Sequence, residues 1–237
     1  MPTKEQNHPD PLDEACRALL GAYSEGLFPM GEPGGEIHWF DPDPRGVIPL
    51  ESGGLVVSRS LRQRVRSGSF EITSDRGFEQ VVRACAAPRP GPDAGETWID
   101  DRIIALYLAL WERGHAHSVE AWRPQADGTR ALVGGLYGVH LGGLFAGESM
   151  FSKPDLGGTD ASKVCLVHLV SHLRERDFTL LDTQFQNDHI ARLGCVEITR
   201  ETYRERLGGA LSLETSWDEL DPDRTLEMPE ISGRLGS

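Results

Sequence analysis

Apolar residues recur along this chain with two periods, and each change of period marks an element. Leu19, Leu20, Ala22 and Tyr23 fall on or near one helical face, which predicts a helix over 13–25 that Gly26 stops. The chain then breaks into Phe28-Pro29-Met30-Gly31, Pro33-Gly34-Gly35 and Phe40-Asp41-Pro42-Asp43-Pro44-Arg45. Proline fixes φ and removes the amide donor, so no regular element is expected there. A helix near 58–67 with Ser58 as N-cap, a strand at 69–73, a helix at 76–86 and a loop at Pro88–Pro92 follow. Ile103, Ile104, Leu106, Tyr107, Leu110 and Trp111 predict a helix over 100–113, ended by Gly114. Strands are expected at 115–123, 130–139 and 143–150, joined around Asp127-Gly128 and His140-Leu141-Gly142. Val164, Cys165, Val167, Leu169, Val170 and Leu173 give a broad apolar stripe to a helix over 161–175, capped by Thr159 or Asp160. Phe178-Thr179-Leu180-Leu181 reads as a buried strand leading into Asp182-Thr183-Gln184. A short helix from Asp188 to Leu193 closed by Gly194, a strand at 195–199 and a helix at 200–207 complete the pattern.

Strands, then a helix, then a strand predict an α+β fold: a mixed sheet with flanking helices that resembles the acetyltransferase-like (GNAT-like) arrangement rather than a doubly wound one. The 237 residues suffice for one sizeable core and an appendage. The expected division is a small N-terminal lobe over 1–57, a catalytic domain over 58–211 and an acidic C-terminal tail over 212–237.

Composition narrows the partners. No apolar run is long enough for a membrane span, and residues 1–14 contain no apolar segment of a secretory signal, so a cytoplasmic protein with no membrane partner is expected. Cys16, Cys85, Cys165 and Cys195 are far apart with no C-x-x-C pair, which suggests neither zinc nor disulfides. A net charge of −13 argues against indiscriminate nucleic-acid binding. The charge is uneven, however. Residues 212–237 carry seven acids against Arg224 and Arg234, a net of −5 that reads as a solvated tail. Arg59, Arg62, Arg64 and Arg66 fall in eight residues without an acid, and Arg200, Arg204 and Arg206 form a second knot. Such patches bind phosphates, or are simply solvated helix faces.

Polar groups at strand ends between glycine-rich apolar walls point to a site: Gly134-Gly135-Leu136-Tyr137-Gly138-Val139, Gly147-Glu148-Ser149-Met150-Phe151-Ser152, and Leu181 to His189. Asp182 and Gln184, two apart at a strand end, share a face, so the carboxylate can orient the amide. Glu148 sits among Phe145, Met150 and Phe151, where it either pairs with an incoming cation or forms an internal ion pair with an arginine such as Arg192. His115 and His117 have a spacing that metals use, and His189 follows Asp188. A metallohydrolase would need a third converging ligand and a base, and no recognised pattern supplies them, so no metal is expected.

Gly147 to Ser152, Gly114-His115-Ala116-His117-Ser118-Val119-Glu120, Leu181-Asp182-Thr183-Gln184 with Asn187-Asp188-His189, and Asp41-Pro42-Asp43-Pro44-Arg45 together resemble the leucyl/phenylalanyl-tRNA–protein transferase family, over about Tyr23 to Tyr203. The resemblance implies transfer of leucine or phenylalanine, with methionine a further donor, from aminoacyl-tRNA to a protein that begins with arginine or lysine, marking it for degradation. It implies no cofactor. The sequence has no Arg/Gln-x-x-Gly-x-Gly/Ala loop for acetyl-CoA and no P-loop. Attack of an amine on an activated ester needs a proton acceptor, orientation and oxyanion stabilisation, but no covalent nucleophile. By resemblance Asp182, Gln184 and Asn187 are the catalytic group, with Gln184 an orienting acceptor, while Asn187 serves equally as a helix cap. Glu148 would take the cationic acceptor residue. Leu136, Phe145, Met150, Leu166, Leu169 and Leu181 would line the aminoacyl pocket, as they would any core. Trp98 would stack on the 3′-terminal adenosine, with Tyr23, Arg59, Arg62, Arg64 and Arg66 also toward the tRNA. The tryptophan frequent after Phe-Pro in the family is Met30 here. Another aminoacyl donor, or a non-catalytic tRNA- or peptide-binding module, are the alternatives.

Overall fold

The computed structural model describes residues 11–31, 36–88, 98–125 and 127–232. Pro33-Gly34-Gly35 and residues 89–92 of the expected loop lie outside them. In chain order the helices are α1 (Pro11–Ser24), α2 (Arg59–Arg66), α3 (Phe78–Ala86), α4 (Asp101–Glu112), α5 (Ala161–Glu175), α6 (Asp188–Ala191), α7 (Arg200–Leu211), α8 (Pro222–Glu227) and α9 (Pro229–Ser232). The strands are β1 (Phe28–Gly31), β2 (Ile37–Phe40), β3 (Arg45–Ile48), β4 (Glu71–Ser74), β5 (Ala116–Pro124), β6 (Arg130–Leu141), β7 (Leu144–Ser152), β8 (Leu180–Gln184) and β9 (Val196–Ile198). No helix among the described residues is long and apolar enough to cross a membrane.

A seven-stranded mixed sheet, ordered β4-β5-β6-β7-β8-β3-β9, forms the centre. Neighbours are antiparallel except β7 and β8. Helices cover both faces, which is why β6 is buried along most of its length and reads as apolar and glycine residues without alternation. On one face α5 lies along the sheet with α2, α8 and α9 outside it. Gly134 makes that approach close, because a Cβ there would collide with Ala161 at the start of α5. On the other face lie α1, α3, α4 and α7, with Tyr23, Phe78, Tyr107, Tyr137 and Tyr203 in one apolar cluster. Of the caps expected from the sequence, Ser58 holds, its Oγ accepting from the Leu61 amide to start α2, whereas Asp160 at the start of α5 makes no side-chain capping hydrogen bond and its Oδ1 accepts from Lys163 Nζ at 2.7 Å instead.

Two expectations are corrected. The proline-broken stretch after Gly26 contains three strands, not none. Pro29 sits in a two-stranded ribbon, β1 with β2, where an edge position tolerates the missing donor, and Pro42 and Pro44 fall between strands. β3 then enters the main sheet between β8 and β9. The acidic C-terminal stretch is likewise packed rather than solvated as far as it is described. Leu220, Met228 and Ile231 join the core under α5, with Trp217 packed against it, and the acids take local jobs: Asp221 caps α8 and Glu230 pairs with Arg174.

Candidate active site

Strands β7 and β8 pair only from Leu144 with Leu180 to Ala146 with Asp182. Beyond that point a cavity of about 710 Å³ takes the place of the ladder, walled by β7, β8, α5, β1 and Trp98. A bulge then aims the first polar group. Tyr137 faces Ser149 and Gly138 faces Gly147, so Glu148 is an extra residue with no cross-strand partner. The strand changes parity there: Phe145 and Met150 share one side of the sheet, Ala146 and Phe151 the other.

Glu148 turns toward α1 and α4. One carboxylate oxygen accepts from Tyr23 Oη at 2.7 Å, the other from Tyr107 Oη at 2.8 Å. Gln184 Nε2 donates to the same carboxylate at 3.1 Å. Burial pushes the Glu148 carboxyl up to about 7, against the opposing pull of the two tyrosine hydrogen bonds. Burial, and then the neighbouring Glu148, raise both tyrosines well above their ordinary range, so they stay neutral donors.

Asp182 lies behind this pair, fully buried. Arg45 grips it bidentately, Nε at 2.9 Å and Nη2 at 2.7 Å, and Tyr203 Oη donates at 2.9 Å. The guanidinium is itself fixed: Nη1 donates to the Gly26 carbonyl at 2.9 Å, and it lies 4.7 Å from the Phe28 ring and 4.3 Å from that of Tyr203. Asp182 does touch Gln184, though through the backbone: Oδ1 accepts from the Gln184 amide at 2.8 Å. Gln184 has φ of +60°, a left-handed conformation costing about 1–3 kcal/mol in a non-glycine residue, and Asp182 holds it there. With Nε2 committed to Glu148, the Gln184 side-chain oxygen is left as an acceptor at the cavity wall.

Leu136, Met150, Leu166, Leu169 and Leu181 line the cavity, and Trp98 lines it beside Met30. Phe145 does not: it lies where β7 and β8 are still paired, opposite Leu181, and its ring stacks on Trp217 with centroids 5.4 Å apart. Asn187 lines the cavity while its Oδ1 caps α6, accepting from the amides of His189 and Ile190. Tyr23 is buried beneath Glu148 rather than open to a tRNA, because the apolar face of α1 carries it inward. Arg59, Arg62, Arg64 and Arg66 are on α2, which packs on α5 and α9; none lines the cavity, and Arg62 Nε donates to the Glu230 carbonyl at 2.7 Å. The hydrogen bonds to Glu148 come from two tyrosines and a glutamine, not from Arg192. Of the histidines, His117 bonds Asp75 and stacks on Trp217, while His189 lines the cavity. Among the described residues no group of three His, Cys, Asp or Glu could hold a metal ion.

Sequence reasoning missed Arg45, Tyr107 and Tyr203 as site residues. The one available signal was Asp41-Pro42-Asp43-Pro44-Arg45, a motif without an assigned role. The sequence profile of leucyl/phenylalanyl-tRNA protein transferase matches residues 47–208, and that of the N-terminal domain of the same enzyme matches 16–43. Proteins named leucyl/phenylalanyl-tRNA–protein transferase from Paramagnetospirillum magneticum and Rhodospirillum rubrum are 49% and 46% identical to the chain, over 84% and 92% of it and 90% and 93% of their own lengths. One from Rubrobacter xylanophilus is 49% identical, over 84% of the chain and 96% of its own length. The chain belongs to the leucyl/phenylalanyl-tRNA protein transferase family. The two stretches matched to this transferase family contain Tyr23, Tyr107, Glu148, Asp182, Gln184 and Tyr203, and Arg45 falls in the short gap between them.

Proposed function

We propose that the cavity between β7 and β8 is where this chain moves leucine or phenylalanine from its tRNA to the N-terminal arginine or lysine of an acceptor protein, in the cytoplasm and without acetyl-CoA. The observation that carries the assignment is the Glu148–Gln184 pair at the wall of a mostly apolar cavity, with Asp182 behind it. The mixed sheet is read as acetyltransferase-like, put to a different acyl donor. Leu136, Met150, Leu166, Leu169 and Leu181 take the side chain of the transferred amino acid out of water. Such a wall discriminates by only about 1–3 kcal/mol per methylene, so methionine is a further donor. Trp98 stacks on the terminal adenine. A carboxylate has about four acceptor sites, of which three on Glu148 are taken, and the remainder receives the guanidinium or ammonium of the acceptor.

The neutral α-amine of the acceptor attacks the ester carbonyl carbon. The C–N bond forms, the bond to the ribose oxygen breaks, and the proton lost by nitrogen ends on that ribose oxygen, carried by water or a tRNA hydroxyl. Gln184 Oε1 accepts a hydrogen bond from the amine and orients it, since an amide oxygen is too weak a base to keep the proton. Asp182 acts through the Gln184 backbone and Arg45, as a positioning group. Asn187 holds the adjoining helix start. The test is a panel of charged tRNAs with peptides beginning with Arg, Lys or Ala, read by the mass gained. Leucine or phenylalanine added to the Arg and Lys peptides alone is expected; transfer to none overturns the reading.

A further inference from the structure

Phe185 follows Gln184, lines the same cavity and leaves 45% of its surface exposed. In an uninterrupted strand the two side chains would point to opposite faces. The positive φ at Gln184 breaks that alternation and brings both to the cavity. The Phe185 ring is braced edge-on against Phe28, with centroids 5.6 Å apart, and against Phe40 at 6.2 Å, and those two stack on each other at 5.8 Å. Phe28 in turn carries the Arg45 guanidinium that holds Asp182. An exposed ring is thus tied to the buried centre by direct contacts.

At the other end of β1, Gly31 abuts the Trp98 backbone. The three steps from Phe28 to Gly31 span about 10 Å of β1, at about 3.3 Å per residue, between the end that braces Phe185 and the end that abuts Trp98. Glu148 and Gln184 line the same cavity.

We infer that Phe185 is the contact surface for the second residue of the acceptor protein, and that it selects acceptors with a large apolar or aromatic residue there. The inference rests on the proposed transfer. Once the acceptor amine lies at Gln184 and its side chain at Glu148, the next Cα is about 3.8 Å further on, the same step that separates Gln184 from Phe185. Trp98 is already assigned to the adenine, which leaves Phe185 to the peptide. Its edge and outer face are free for a ring or branched chain, in the offset or edge-on geometries that aromatic pairs prefer.

Two peptides beginning Arg-Phe and Arg-Gly, otherwise identical, test this with leucyl-tRNA as donor. The wild-type protein is expected to use the first with a kcat/KM roughly 2- to 12-fold higher, the range that about 0.5–1.5 kcal/mol of aromatic pairing gives. Phe185→Ala brings the ratio close to one, and Phe185→Leu leaves an intermediate value. Trp39→Ala removes an equally exposed ring, 48% exposed and outside the cavity, and keeps the wild-type ratio. A wild-type ratio near one, or a ratio that survives in Phe185→Ala, overturns the inference while leaving the transfer intact. An unchanged ratio with a raised KM for the charged tRNA in Phe185→Ala also overturns it and places the tRNA on this ring. Transfer to neither peptide overturns the inference together with the function on which it rests.

Discussion

Replacing Glu148 by glutamine keeps the shape of the side chain and removes its ionisation. Burial holds the carboxyl at about 7 rather than the ordinary 4.5. Between those values the folded chain binds more protons at this position than the unfolded chain, so the stability of the wild type falls as pH rises through the window. The full span of about 2.5 units corresponds to on the order of 3 kcal/mol, and water in the cavity beside Glu148 makes that a ceiling. His140, His168 and His172, each pushed down to about 4 chiefly by burial, act in the opposite sense: they bind fewer protons folded than unfolded, and stability rises with pH from about 4 to 6.5. The wild-type profile alone therefore mixes opposing slopes, and the difference between Glu148→Gln and wild type isolates the glutamate. Urea unfolding of both proteins at half-unit steps from pH 4.5 to 8 measures it. The variant is expected to gain on the wild type with rising pH, by as much as about 3 kcal/mol, and to level off above pH 7. A difference constant across the range refutes a buried, proton-binding Glu148.

Five further outcomes are expected. Asp182→Asn leaves the buried Arg45 guanidinium without its charge partner and lowers stability by about 3–5 kcal/mol in urea unfolding, while Gln184→Ala, which keeps that ion pair, lowers kcat of transfer far more than it raises KM for charged tRNA. Trp98→Ala weakens charged-tRNA binding by about 1–3 kcal/mol in filter assays with an unchanged salt slope, whereas replacing Arg64 and Arg66 together flattens the slope by about 1–2 if both meet phosphates; an unchanged slope in that double variant puts the tRNA away from α2. Ile231→Ala, in the stretch that reads as a tail, destabilises by about 2–5 kcal/mol, and a loss under 0.5 kcal/mol would mean the segment does not complete the core.

What the sequence discloses is what local pattern encodes. The meander β5-β6-β7, the broad stripe of α5 and the caps at Ser58 and Asn187 all depend on residues a few positions apart, and the structure has them within a residue or two of the expected bounds. The aminoacyl-transfer reading came from short motifs rather than from any period. Arg45 stayed hidden because an arginine reads as surface until its partner is known, and Asp182 lies 137 residues away. β1, β2 and β3 are four residues each, too short for a period, and prolines mask their edges. The Glu148 bulge and the left-handed Gln184 are departures from alternation, so a rule built on alternation passes over them, and both occur in the candidate site. The C-terminal stretch misled through net charge: spaced Trp217, Leu220, Met228 and Ile231 decide its packing, and the acids between them face outward, cap or, at Glu230, pair with Arg174.

The position of β3 between β8 and β9 bears on how the protein is made. A strand complete by residue 48 has no partner in the main sheet until residues 180–198 have been synthesised, so during translation the buried arginine on it waits in water for most of the chain. The β5-β6-β7 meander can assemble from local contacts while still tethered to the ribosome, whereas the half of the sheet that carries Asp182 and Arg45 closes only after release of the last strand. The geometry of the candidate site in such a protein is a late event of biosynthesis, and a truncated nascent chain has a scaffold before it has that site.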